Sequence, residues 1–350
     1  MSIGGDRLIL LGTAGGPGWS PTRHGIASAL VVGGRFYLVD AGEGVAGQLC
    51  RAFPQHGVDG QSAGPERGPL DKLGAVFITH LHSDHVSGLA SILTTGMFNG
   101  LDRADRIVEV WGPGPRGELP PAPKDGSTPI VVCPDNPTPG TQEVVATLVG
   151  AFATDFNDRA FDNNKAPPDH CFVGRDVQIP PEYLGEPNTN PHPRMSPVTV
   201  FEDDRVRVSA TLVQHAPVFP ALAYRFDTDQ GSVVFSGDTS PSENLIELAT
   251  GATLLVHEVI AADWVDQIIP TPRGPAAEAT RAHLLSAHTT AQQVGRVAER
   301  AGAEVLVLSH IVPPSWPAER WAPAQEGFSG QLIVGRDLLE VPLARSAASA

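Results

Sequence analysis

Four metal-ligand side chains fall within six residues of this chain, directly behind a short apolar run. The run is Ala75-Val76-Phe77-Ile78, and His80, His82, Asp84 and His85 follow it. An apolar run of this length bounded by polar residues reads as a buried strand. Residues two apart in an extended chain face one side, so His80 and His82 point together. Asp84 and His85 stand where a helix begins, because VSGLASILTTGMF carries helix-like apolar spacing. Three imidazoles and a carboxylate at H-x-H-x-D-H spacing are ligands of the kind zinc takes. The turn from strand to helix lets one pair of ligands serve one metal and the next pair another. A polar loop behind a core strand rarely collects four such residues, so metal binding is the stronger reading.

The pattern recurs downstream. Val206 to Val213 is an apolar strand ending at Gln214-His215, and Ser232 to Phe235 runs into Ser236-Gly237-Asp238. Leu254 to Val256 ends at His257-Glu258, and Val305 to Leu308 ends at Ser309-His310. With the strand before His80, apolar strands repeatedly deliver a His or an acid at their C-terminal ends, the edge where α/β folds place ligands. His288 precedes AQQVGRVAERAG, a helix with Thr289 or Thr290 as its N-cap. His170 and His192 lie outside any such cluster and read as surface histidines.

Other segments read as scaffold. Arg7 to Leu11 is a first strand, followed by a glycine cluster that lacks the Lys-Ser/Thr of a phosphate loop and so reads as a tight turn. Ala27 to Val32 and Arg35 to Val39 form a hairpin through Gly33-Gly34, and a helix runs from about Gly44 to Phe53. Residues 55–70 read as loop. Ala221 to Phe226 and Arg106 to Trp111 are further strands, and Pro129 to Cys133 is a strand-like run. Thr141 to Asp162 reads as one long helix whose apolar stripe, including Phe152, Phe156 and Phe161, suits the core or a homodimer face. Prolines from 163 to 197 leave little room for regular structure. Trp316 and Trp321 follow His310 in a Pro-rich loop, which places a ring at the mouth of a substrate pocket or over the core.

Composition narrows the class. The chain of 350 residues is 41% hydrophobic, enough to bury a core. No run of about 18 apolar residues suggests a membrane span, and the N-terminus lacks a basic region and a cleavage site. Cys50, Cys133 and Cys171 are odd in number and far apart, which points to reduced thiols and a cytoplasmic location. Lys and Arg total 24 against 39 Asp and Glu, a formal charge of −15 that weighs against a nucleic-acid partner.

The H-x-H-x-D-H motif resembles the signature of the metallo-β-lactamase superfamily. THLHSDH at 79–85, His215, SGD at 236–238, HE at 257–258, HTT at 288–290 and SH at 309–310 resemble its tRNase Z and arylsulfatase-like branch. The segment from Phe328 to Leu343 resembles that branch's terminal hairpin. The resemblance implies an α/β protein with the αβ/βα four-layer sandwich of the metallo-β-lactamase fold. Residues 1–350 are expected to form one metallo-hydrolase domain with a Pro-rich insertion at about 113–200. The implied ligands are His80, His82 and His215 for one divalent ion, Asp84, His85 and His310 for a second, and Asp238 for both. Zinc is the default, with manganese or iron open because the set is all His and Asp. Two metals about 3.5–4 Å apart can hold a bridging hydroxide and polarise a phosphoryl, sulfuryl or carbonyl oxygen. Asp84, His288 and Glu258 are the catalytic candidates, His288 as proton donor to the leaving group and Glu258 as its orienting partner. Asp40 is implied as an outer support of the metal ligands, and equally suits a helix cap.

For substrate, the expectation is a small-molecule ester, either a sulfate ester or a phosphodiester. The tRNase Z branch carries a long arm for tRNA between the positions of His215 and Asp238, and here only 22 residues separate them. The insertion holds Arg116, Lys124, Arg159, Lys165, Arg175 and Arg194, spread out and outnumbered by acids. A tRNA 3′-processing endoribonuclease, a lactonase or β-lactamase-type hydrolase, and a non-catalytic metal-binding protein of the same fold stand as alternatives.

Overall fold

A computed structural model describes residues 5–53, 68–122, 127–184, 186–269 and 274–343. The loop expected at 55–70 lies mostly outside them, as does Lys124. The strands are β1 (Arg7–Gly12), β2 (Ala27–Val32), β3 (Arg35–Val39), β4 (Leu73–Phe77), β5 (Val108–Pro113), β6 (Phe172–Val177) and β7 (Val198–Glu202). They continue as β8 (Arg207–Leu212), β9 (Leu222–Thr228), β10 (Gly231–Phe235), β11 (Leu254–Ile260), β12 (Val305–Val312), β13 (Gln331–Val334) and β14 (Leu339–Pro342). Two seven-stranded sheets result, ordered β14-β1-β2-β3-β4-β5-β6 and β13-β12-β11-β10-β9-β8-β7.

Side-chain alternation builds the layers. Leu8, Leu10, Tyr37 and Phe77 of the first sheet meet Leu212, Tyr224, Phe226 and Val256 of the second in a central core. The residues between them, such as Ile9, Leu38 and Val76, face outward and are covered by α1 (Val45–Ala52), α2 (Ser83–Val86), α3 (Leu89–Thr95) and α4 (Thr141–Ala151), which lie on that side of the chain. Strands buried on both faces need apolar residues on both, which is why they read as continuous apolar runs. On the far side Val234, Leu255 and Leu306 pack under the later helices. These are α6 (Glu243–Leu248), α7 (Ala262–Ile268), α8 (Pro275–Ala287) and α9 (Ala291–Ala301), of which α6 and α9 supply Leu245, Val294 and Val297 to that layer, while α5 (Ala153–Asn163) stays beside α4 on the first side and buries Phe156 there. Helix, sheet, sheet, helix is the four-layer sandwich that the sequence implied.

Four expectations need correction. Residues 129–133 form no strand: Ile130 and Val132 are exposed, and an apolar run without a neighbouring strand has no ladder to join. The segment 163–197 does contain a strand, β6, paired parallel to β5 with α4 against it. The long helix divides at Phe152, whose backbone (φ −105°, ψ 18°) ends α4 and starts α5. The terminal strands are no hairpin: β13 runs parallel to β12 in one sheet and β14 antiparallel to β1 in the other. Leu338, at φ 60°, helps the chain cross between them.

The three cysteines are free. Among the described residues no helix is long and apolar enough to cross a membrane.

Candidate metal centre

The parallel halves of both sheets aim their C-terminal ends at one place. His80 and His82 follow β4, and α2 begins at Ser83, so the turn predicted from sequence swings Asp84 and His85 back toward the strand end. Asp238 follows β10 across Gly237, which sits at φ 58° where a Cβ would come 2.6 Å from the Leu222 carbonyl. Only glycine fits there, and this fixes the S-G-D sequence. The β11–β12 register shifts at Glu258, where Ser309 and His310 form a bulge. His310 takes φ 44°, a left-handed conformation uncommon for histidine and characteristic of functional sites.

All seven expected ligands converge. His80, His82 and His215 form one group, and Asp84, His85, Asp238 and His310 another, with ligand atoms in each group within 4.8 Å of one another. Asp238 lies between the groups: its carboxylate is 3.4 Å from His85 Nε2, 3.3 Å from His310 Nε2 and 3.8 Å from His215 Nε2. Asp84 is 3.3 Å from His310 Nε2. All are buried except Asp84, which is half-buried, and His82, which is exposed and marks the opening to solvent.

The outward-facing ring nitrogens of His80, His85 and His215 have partners. His85 Nδ1 donates to Asp40 at 2.9 Å, and His215 Nδ1 donates to the Ala287 carbonyl at 2.9 Å. His80 Nδ1 lies 3.3 Å from the Thr79 hydroxyl. Meanwhile His80 Nε2, His85 Nε2 and Asp238 Oδ1 are buried without a hydrogen-bond partner among the described residues. Orphaned inward atoms with fixed outward ones are what metal-binding histidines require, because the outer bond sets the tautomer that leaves a lone pair for the ion. The residues therefore fit a pair of divalent cations with nitrogen and oxygen donors. Asp40 is no helix cap, since Gly44 holds that position in α1. Its carboxylate accepts from His85, from the Thr79 N–H at 2.8 Å and from the Thr79 hydroxyl.

Charge follows the same arrangement. Burial opposes ionisation of Asp238, but His310 and His85 outweigh it and hold the carboxyl well below its usual range. Burial also opposes a charge on His85, and Asp238 and Asp40 outweigh it, raising that imidazole well above its ordinary value. His215 has less compensation, and burial lowers it to about 4.

His288 stands between α8 and α9. The Thr290 capping box with Gln293 starts α9, and the Ile260 N–H donates to the Thr289 carbonyl, which ties this turn to β11. His288 Nδ1 donates to Glu258 at 2.9 Å, and Glu258 also accepts the Thr239 N–H at 2.8 Å. Burial disfavours charge on His288, yet Glu258 overcomes it and pushes the imidazole up to about 9. A ligand atom of His288 lies within 4.8 Å of those of His215 and Asp238. His257 stays outside the cluster, its Nδ1 donating to the Glu258 carbonyl. His170 is exposed, His192 is half-buried, and neither joins a described metal-type group. His283 on α8 was not singled out from sequence: its charge acts on His82, and its own value is lowered by burial and then by His288. A lone His on an exposed helix gives no sequence signal. Trp321 is fully buried against the second sheet and Trp316 packs on it at 5.9 Å between ring centroids, so both cover the core and neither lines a described cleft.

A family model described as the metallo-β-lactamase superfamily matches residues 22–310. The chain belongs to the metallo-β-lactamase superfamily. It is similar to proteins named Ribonuclease Z. The one from Mycobacterium bovis (strain BCG / Pasteur 1173P2) is 32% identical over 342 residues, covering 95% of this chain and 97% of that protein. The one from Mycobacterium avium (strain 104) is 32% identical over 337 residues, with the same coverage. Among solved structures, human tRNase Z, short form, superposes with a TM-score of 0.59 at 17% identity, over 97% of this chain and 100% of that one. The metallo-β-lactamase fold protein YhfI of Bacillus subtilis gives 0.56 at 18% identity, over 96% and 99%. At those identities the likeness is one of fold. As a superfamily member with this kinship, the chain is a metal-dependent hydrolase.

Proposed function

We propose that this chain is a ribonuclease Z-type endoribonuclease, a dinuclear-metal phosphodiesterase that cleaves RNA. The observation that carries the reading is kinship with proteins named Ribonuclease Z over 95% of the chain. It outweighs the small-ester expectation, which rested on net charge and a missing arm. A sulfate ester has no support beyond the shared motifs.

In this reading His80, His82 and His215 hold one divalent ion, and Asp84, His85 and His310 hold the other, with Asp238 serving both. Zinc is the expected metal, and manganese and iron suit the same donors. When bound, such a pair supplies Lewis acidity toward a phosphoryl oxygen and brings the pKa of water toward about 7. The chain's own residues do the rest. Asp40, Thr79 and the Ala287 carbonyl hold the imidazoles in register. His288 keeps its proton because Glu258 stabilises the imidazolium. With Nδ1 committed to Glu258, Nε2 is the nitrogen left to protonate the leaving oxygen. Residues 1–350 act as one catalytic unit in which the 113–200 segment shapes the mouth of the site.

A second reading, a small-molecule phosphodiesterase, draws on one structural fact. From His215 to Asp238 the chain runs through residues 216–221, β9, a two-residue turn and β10, with no arm between them. Zinc-loaded protein should be given a tRNA precursor with a 3′ trailer and, separately, bis(p-nitrophenyl) phosphate. Cleavage of the RNA at a defined 3′ position is expected. Turnover of the small diester with the RNA left intact would favour the second reading.

A further inference from the structure

The metal cluster meets solvent at His82, and a cleft of about 410 Å³ begins beside it. One wall is Leu81, Pro113 and Pro139, with Val144 of α4; the other is Val218 and Pro220, in the loop after His215. Most of the first wall comes from the 113–200 segment, so the segment that lacks a role in metal binding borders the place where a substrate enters.

The lining is apolar, and its one charged side chain among the described residues, other than His82, is Arg116. That guanidinium is already used. Nε donates to the Pro217 carbonyl, Nη1 to the Glu118 carbonyl, and Nη2 to the Pro187 carbonyl and to Asn188 Oδ1. Arg116 thereby braces the two walls against each other, keeping its charge but spending four of its five N–H donors on neutral oxygens. A phosphate placed here would meet one guanidinium with most of its donors already engaged and otherwise proline and aliphatic faces, so it would recover little of the hydration it lost. A flat, largely apolar group would gain contact with proline and aliphatic faces, and the volume is within the range of ligand pockets, which begins near 300 Å³.

We propose that this cleft seats one nucleobase next to the scissile phosphodiester, as a subsite built by the 113–200 segment. The proposal rests on the RNA-cleaving reading for the identity of its occupant. The phosphate stays at the metal cluster beyond His82, and the base lies between Val144 and Val218.

Calorimetry on the zinc-loaded protein tests this without turnover. The probes are uridine 5′-monophosphate, adenosine 5′-monophosphate, ribose 5-phosphate and inorganic phosphate. At least one nucleotide should bind at least tenfold tighter than ribose 5-phosphate. Val144→Trp and Val218→Trp fill the cleft from opposite walls, and each should remove that advantage while inorganic phosphate binds within twofold of wild type. The phosphate value reports that fold and metal loading are intact, and two independent variants guard against one misfolding. Equal binding of nucleotide and ribose 5-phosphate by wild type overturns the proposal, as does an advantage that survives both substitutions. Failure of the RNA-cleaving reading would look different: RNA would remain uncut while the nucleotide preference persisted.

Discussion

Asp40→Ala should weaken one of the two metals and spare the other. Asp40 touches no second histidine of the cluster; its carboxylate accepts from His85 Nδ1 at 2.9 Å and from the Thr79 N–H at 2.8 Å. Without Asp40 the Thr79 hydroxyl oxygen, 3.2 Å away, is the acceptor that remains for His85 Nδ1, while the Thr79 N–H and O–H both lose theirs. Two buried donors are then stranded, at about 1–3 kcal/mol each, so the fold should lose about 2–6 kcal/mol. His85 also loses the bond that fixes its tautomer. Removing such an outer partner typically lowers metal affinity about 10–100-fold. His85 belongs with Asp84, Asp238 and His310, whereas His80, His82 and His215 form the other group. Chelator competition should therefore resolve one equivalent weakened at least tenfold and one within about threefold of wild type. Asp40→Asn should fall between, because an amide oxygen still accepts from Thr79 while the amide nitrogen cannot accept from His85. Two equivalents bound as tightly by Asp40→Ala as by wild type would falsify the supporting role. Equal weakening of both would assign the effect to general loosening of the fold.

The pH dependence of turnover should follow the pair of His288 and Glu258. His288 is raised from 6.5 to about 9, so its protonated form, and the stability the pair contributes, is complete below about 6.5 and lost as pH rises through about 9. In Glu258→Gln burial is opposed only by the weaker pull of Asp238, and the alkaline limb of kcat should move to lower pH; an unmoved limb would remove Glu258 from this role. Asp203→Ala should destabilise the fold by about 3–5 kcal/mol with metal content unchanged. Asp203 is buried and accepts from Tyr37, Arg35 and Arg106 at the end of β3 opposite Asp40; thermal unfolding with metal analysis checks both halves. RNA affinity should depend weakly on salt, with a log–log slope shallower than about −2, equivalent to roughly three phosphate contacts on a single strand. A slope near −5 would reveal a basic footprint that the described surface does not offer.

The cluster of histidines and aspartates was legible because metal binding restricts residue type so strongly. Histidines and acids at the ends of apolar strands mark the site even before it is known which strands are neighbours. What surrounds them depended on contacts distant in sequence. Asp40 read equally as cap or support, and only its reach to His85 across 45 positions decides. β6 is a short strand between prolines, recognisable once β5 lies beside it. Residues 129–133 carry strand-like composition and find no partner. Trp316 and Trp321 follow a site residue in sequence, yet the chain turns them over the second sheet, because covering the core there needs large apolar surface.

Net charge was the least informative guide to substrate, for a physical reason. The excess of acids is spread over the surface, and much of the basic complement is consumed locally: Arg194 with Glu247, Arg300 with Glu243, Arg281 with Asp266 and Arg320 with Asp263. At physiological ionic strength such charges act over about 8 Å, so they say little about the field inside a cleft. At the metal cluster the field is set by Asp84, Asp238 and the cations they would hold. Beside it the cleft is largely proline and aliphatic and provides surface for an uncharged group. A phosphodiester divides in the same way, into one charged phosphate and its flanking organic groups. An acidic protein can therefore act on a polyanion if it grips one phosphate through its metals and one neighbour through packing. That mode gives up the long-range attraction on which a basic arm depends, and with it the steep sensitivity to salt.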